Sequence, residues 1–95
     1  MSLESLPIAK FRLGHIVSTP NALSRLTNED ILMGIQRHLA GDWGSVDAND
    51  RAANDHALVE GTRILSVYHA ANGVKFWIIT EADRSATTVL LPEDY

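Results

Sequence analysis

The densest run of reactive side chains in this 95-residue sequence is Thr80-Glu81-Ala82-Asp83-Arg84-Ser85-Ala86-Thr87-Thr88. Two carboxylates, one guanidinium and four hydroxyls stand within it. Grouped at a bend, they could orient a phosphate or accept a proton. The same residue types also build bends without any further role, because Asp and Ser bond their own backbone and Thr favours strands. Composition alone leaves both uses open.

The remaining candidates for chemistry are sparse. His15, His38, His56 and His69 lack the spacing of a zinc motif. Asp47, Asp50, Asp55 and His56 would splay around a helix, and the glycine of a calcium loop is missing, so no metal is expected. The absence of Cys excludes disulfides, thiolate zinc sites and cysteine nucleophiles. With no glycine-rich phosphate loop or nucleophile elbow, no cofactor is expected either. His69 reads as a hydrogen-bonded core histidine. Tyr68 and Trp77 form an expected cross-strand pair beside Lys75 and Ile79, and with Asp83 and Arg84 of the bend they make the candidate binding surface.

The elements that must position these groups follow from periodicity and caps. Residues 1–10 read as a flexible arm, of which 1–3 carry no weight because they resemble an expression-vector remnant; residues 11–95 read as one domain. Phe11 to Val17 suits a short strand. Thr19-Pro20 starts a helix running to about Leu26, since a hydroxyl cap and a proline at the first position both fit there. Thr27-Asn28-Glu29-Asp30 starts a second helix, with Ile31, Leu32, Ile35, His38 and Leu39 on one stripe and Gly41 at its end. A third should run from Ser45 or Asp47 to about Glu60, with Ala48, Ala52, Ala53, Ala57, Leu58 and Val59 inward.

Beyond Gly61 the sequence becomes β-rich. Asn72-Gly73, flanked by Thr62–Ala70 and Val74–Glu81, signals a two-residue hairpin loop. Counting back from Ala71 opposite Val74 sets His69 against Phe76, Tyr68 against Trp77, Val67 against Ile78 and Leu65 against Thr80. Leu65, Val67, His69, Val74, Phe76 and Ile78 then face the helices, and Ile64, Ser66, Tyr68, Lys75, Trp77, Ile79 and Glu81 face away. A third strand spans Ala86 to Leu91, stopped by Pro92. The expected fold is α+β, with three helices on one face of a small antiparallel sheet made of the N-terminal strand and the C-terminal meander.

Charge narrows the partners. Eight Lys and Arg against twelve Asp and Glu give a net charge of −4, which disfavours nucleic acid. The excess is local: Asp42 to Glu60 holds five acids and one base. Such a helix is a solvated face, or it favours a basic protein partner. No apolar run reaches the length of a membrane span and no signal core is visible, so the expected location is cytoplasmic and no membrane partner is expected.

Gly41-Asp42-Trp43-Gly44, Trp77 to Ser85, Thr87-Thr88 and Leu91-Pro92-Glu93-Asp94-Tyr95 resemble a family of small bacterial proteins often carried on plasmids and other mobile elements. The resemblance covers roughly residues 12–95. Some members are labelled a type I restriction methyltransferase subunit, but this chain is too short for a methyl-donor domain. A fainter resemblance, in Arg63-Ile64-Leu65-Ser66 and Thr80 to Thr88, is to barnase-like and RelE-like ribonucleases, which cleave RNA without metal. It implies Arg63 on the scissile phosphate, Glu81 as base, and Arg84 with Thr87 near the acid position. Arg84 stands where that pattern has His, and a guanidinium is a poor proton donor at neutral pH. The expected function is therefore a non-enzymatic accessory or protein-interaction module, with an unidentified protein partner or a homo-oligomer. The alternative is a metal-independent, toxin-like ribonuclease.

Overall fold

The computed structural model describes residues 9–95, so the arm expected over residues 1–10 lies almost wholly outside the described residues. The fold is α+β. Its elements are β1 (His15–Ser18), α1 (Pro20–Arg25), α2 (Asn28–Leu39), α3 (Ala48–Glu60), β2 (Ile64–His69), β3 (Lys75–Thr80) and β4 (Ala86–Leu90), followed by a 3-10 turn at Pro92–Asp94. Each helix starts where its cap predicts. The Thr19 hydroxyl accepts from Ala22 N–H, Thr27 and Asp30 form a reciprocal capping box, and the Asp47 carboxylate accepts from Asp50 N–H.

The strands form one sheet in the order β1-β4-β3-β2. β2, β3 and β4 pair antiparallel, whereas β1 runs parallel to β4 with His15 opposite Ala86. The sheet is therefore mixed, which corrects the antiparallel expectation. Side-chain alternation reads the same in either direction, and only the long connection through three helices leaves a parallel pairing open.

The hairpin register also differs from the expected one. Ala70 pairs with Val74 by Ala70 N–H to Val74 C=O at 2.8 Å, closing a three-residue loop of Ala71, Asn72 and Gly73. Gly73 takes φ +87°, as a turn followed by a left-handed residue requires. Two tertiary bonds hold this loop: Ala71 N–H donates to Asp30 Oδ1 at 3.2 Å and Asn72 Nδ2 donates to Arg25 C=O at 3.2 Å. The pairs are Tyr68–Phe76, Val67–Trp77 and Leu65–Ile79. A one-residue slip reverses the faces of a strand. Ile64, Ser66 and Tyr68 are accordingly buried, and the expected inward residue His69 is exposed.

Tyr68, Phe76, Ile78 and Val89 join Ala22 and Leu26 in the main core, with Ile31 and Ile35 of α2 packed against it. α1 meets β4 and α2 meets β3. α3 packs beside β2, where Ala57 joins Trp43, Val46, Ile64 and Val67 in a second cluster. Its expected inward stripe is corrected: Ala48, Ala52 and Ala53 are exposed and Val59 is 83% exposed, while Asn54 and Ala57 are buried.

Candidate functional site

The polar bend is built largely from bonds to its own fold. The β3–β4 turn places Arg84 at φ +60°, a left-handed conformation that costs a non-glycine residue about 1 kcal/mol. Its guanidinium is aimed back across the molecule. Nη1 donates to Thr62 C=O at 2.6 Å and Glu81 C=O at 3.1 Å, with Ala82 C=O at 3.4 Å, and Nη2 donates to Ala57 C=O at 3.0 Å. Arg84 thus ties the end of α3 to the start of β2 and to its own turn. The Asp83 carboxylate accepts from Ser85 N–H at 2.9 Å and is held below the usual carboxylate range, chiefly by the Ser85 hydroxyl and then by that amide.

Thr87 and Thr80 point into the core. Thr87 Oγ1 donates to Leu13 C=O at 2.8 Å and lies 2.7 Å from Thr80 Oγ1, which lies 2.8 Å from His38 Nε2. His38 Nδ1 then meets Ser66 Oγ at 2.6 Å. The Leu13 carbonyl can only accept, and this fixes the direction of the chain. Thr80 donates to Thr87 and His38 donates from Nε2 to Thr80, and Nδ1 of the neutral ring accepts from Ser66. Both ring nitrogens of His38 are satisfied, and the ring is neutral near pH 7. Burial, followed by the charge of Arg84, lowers its pKa to about 4. The ring has no solvent exposure and is packed against Phe11 and Trp43, which leaves no room for a substrate.

Of the ribonuclease-like set, Arg63 and Glu81 are exposed, while Thr87 is buried and Arg84 is clamped. Pairing of Ile64 with Thr80 brings Arg63 and Glu81 to the same end of the β2–β3 hairpin. The Arg63 guanidinium lies 5.5 Å from the Tyr95 ring centre.

The candidate binding surface is divided between the two faces of the sheet. Lys75, Trp77 and Ile79 share the face opposite α1 and α2, together with Leu65 and Val67. Tyr68 is on the other face, buried, with its hydroxyl donating to Asp42 C=O at 2.6 Å and Arg37 4.6 Å over its ring. Burial pushes its phenol pKa up. In place of Tyr68, Trp77 meets Tyr95, with ring centres 5.6 Å apart. The buried Trp77 Nε1–H has no acceptor among the described residues.

A separate cleft of about 290 Å³ lies between α2 and the hairpin, floored by Gly34 and Phe76 and rimmed by Glu29, Met33, Arg37 and His69. Two rim charges are already engaged: Arg37 forms a two-point bond with Asp42 at 2.7 and 3.2 Å, and the Asp30 carboxylate serves the α2 cap and Ala71. Among the described residues, no cluster of three or more His, Cys, Asp or Glu could hold a metal ion, and no helix is long and apolar enough to cross a membrane. Compared with models of known families, with curated proteins and with solved structures, the chain finds no significant match in any of the three.

Two groups escaped the sequence reading. The His38 chain carried only a partial signal, a histidine on an apolar helical stripe. Asn54 carried none, because a lone Asn on an acidic helix reads as surface. It is buried, and its side chain bonds both polar groups of Leu65, Nδ2 to C=O at 2.7 Å and N–H to Oδ1 at 3.1 Å.

Proposed function

We propose that the chain is a small accessory or protein-interaction module that works by presenting surface rather than by making or breaking bonds. The observation that carries this reading is the fate of Arg84. The only cation of the polar bend is spent on backbone carbonyls, and neighbouring Thr87 is buried in a hydroxyl chain. The fold leaves half-buried Trp77 and exposed Lys75 on the sheet face away from α1 and α2, with Tyr95 and Arg63 at its rim, while Ile79 of the expected surface is buried. A tryptophan beside a cationic rim suits the centre of a protein interface. A homo-oligomer is a second arrangement of the same surface, and the acidic α3 favours a basic partner there. Membership of the mobile-element-associated bacterial family and a cytoplasmic location belong to this same proposal.

The ribonuclease reading keeps one supporting observation, the shared hairpin end of Arg63 and Glu81. An RNA-cleavage assay in the presence of a chelator decides between the two. The expected result is no cleavage above a protein-free blank. Protein-dependent cleavage that disappears in Glu81→Gln, a change at an exposed side chain, would overturn the interaction reading.

A further inference from the structure

The two edges of the sheet are finished differently. At β2 the outward polar groups of Leu65 and Val67 are covered: Asn54 takes Leu65, Val67 N–H donates to Trp43 C=O at 3.0 Å, and Ser45 N–H donates to Val67 C=O at 2.8 Å. At β1 they are not. His15 N–H donates to Ser85 C=O and Thr19 N–H to Val89 C=O, each at 3.0 Å. Alternation in a parallel ladder therefore turns the N–H and C=O of Ile16 and Ser18 outward. No described residue pairs with them. Ile16 and Val17, on opposite faces, are 50% and 48% exposed. His15–Ser18 contains no Lys or Pro, two of the usual guards of an open edge.

The start of this edge is cationic in an otherwise anionic chain: Lys10 and Arg12 precede β1. At its far end the charges are balanced, with Arg25 paired to Glu93 at 3.7 Å and Asp94 bonded to Thr19 and Asn21. An open groove of about 560 Å³ beside β1 is lined by Ile16 and Leu39 together with Arg12, Arg84 and a single acid, Asp83. The Arg84 guanidinium is turned away to the α3 and β2 carbonyls, whereas Lys10 and Arg12 are exposed and have no carboxylate partner among the described residues.

We propose that the β1 edge receives an extended acidic segment of a partner protein, which adds to the sheet through the backbone of Ile16 and Ser18 while its carboxylates face Arg12 and Lys10. This rests on the interaction-module reading and names the class of partner. Strand addition supplies affinity through main-chain bonds, and charge selects the segment. Pairing two copies edge to edge would set two Arg12-bearing edges side by side, so the self-association expected for a bare edge is opposed.

The test is an amide-resolved NMR titration of the whole chain with an acidic strand peptide, DVTVEVD, and its charge-reversed counterpart, KVTVKVK. The acidic peptide should shift and protect the Ile16 and Ser18 amides. The basic peptide, and the acidic one in about 0.5 M salt, should bind about tenfold more weakly or worse. Ile16→Pro should abolish binding, because the N–H it removes makes no bond within the sheet. Arg12→Glu should weaken it about tenfold and leaves the strand backbone intact. Unchanged Ile16 and Ser18 amides, or equal binding of both peptides, would overturn the proposal, as would a dimer that Ile16→Pro dissociates. Shifts confined to Trp77 and Tyr95 would overturn the edge site alone and leave the module reading in place. RNA cleavage dependent on Glu81 would remove that reading itself.

Discussion

Arg84 Nη2 sits 3.0 Å from the carbonyl oxygen of Ala57, so the cation that the polar bend offers for chemistry closes the C-terminal end of α3 instead. Replacing it should be felt as lost stability. Arg84→Ala is expected to cost about 2 kcal/mol, the usual size for charge-assisted bonds to carbonyls. Arg84→Gly should be less damaging by about 1 kcal/mol, because glycine relieves the left-handed backbone. Urea unfolding of the two variants checks both the loss and the order.

Asn54 does for β2 what a neighbouring strand would do. Asn54→Ala leaves an edge N–H and C=O without partners and should destabilise by about 2–3 kcal/mol. It also exposes a second open edge, so sedimentation should show association that grows with concentration. A monomeric variant of unchanged stability would contradict this role.

The His38 chain makes stability depend on pH. Folded His38 titrates at about 4 against its ordinary 6.5, so between these values the unfolded chain binds more protons. Its contribution is complete above about pH 6.5 and is lost progressively toward pH 4, amounting to about 3 kcal/mol over that window. Urea midpoints at several pH values should fall in this range, and His38→Gln should flatten the fall. Asp42, held low by its bond to Arg37, is weakened only at still lower pH.

Gly44 allows the Trp43–Ser45 segment to lie against β2. It has φ +74°, and a Cβ there would stand 1.9 Å from the Val67 carbonyl oxygen. Gly44→Ala should therefore break the bridge to Val67 and raise amide exchange at Val67 and Ser45. Exchange unchanged at both positions would contradict the close approach.

The sequence was most readable where local chemistry decides structure. Caps at Thr19, Thr27 and Asp47 start the three helices, and Ile31, Ile35 and His38 of the expected stripe face the sheet, whereas Leu32 is exposed. It was misleading where distant residues decide. Asn72-Gly73 alone favours a two-residue loop, but Asp30 and Arg25 hold a three-residue one, and that single residue moves Tyr68 from the surface to the core. The alanines of α3 look like an inner stripe. The helix instead lies along an edge, where an amide side chain is worth more than an apolar one. The tail motif is used structurally, since Asp94 accepts from Thr19 Oγ1 at 2.6 Å, Asn21 Nδ2 at 2.7 Å and Leu91 N–H at 3.0 Å. At the polar bend, residue types were legible and their direction was not, because nothing local turns Arg84 toward Ala57.

Amide hydrogen exchange in the free protein tests most directly whether its unused bonding capacity lies at β1 and not beside Leu65 and Val67 of β2. Leu65 and Val67 should exchange slowly, protected by Asn54 and Trp43, while Ile16 and Ser18 exchange at the rate of open backbone. Slow exchange at Ile16 and Ser18 in the monomer would mean that the edge is already covered, and would contradict a surface held open for a partner.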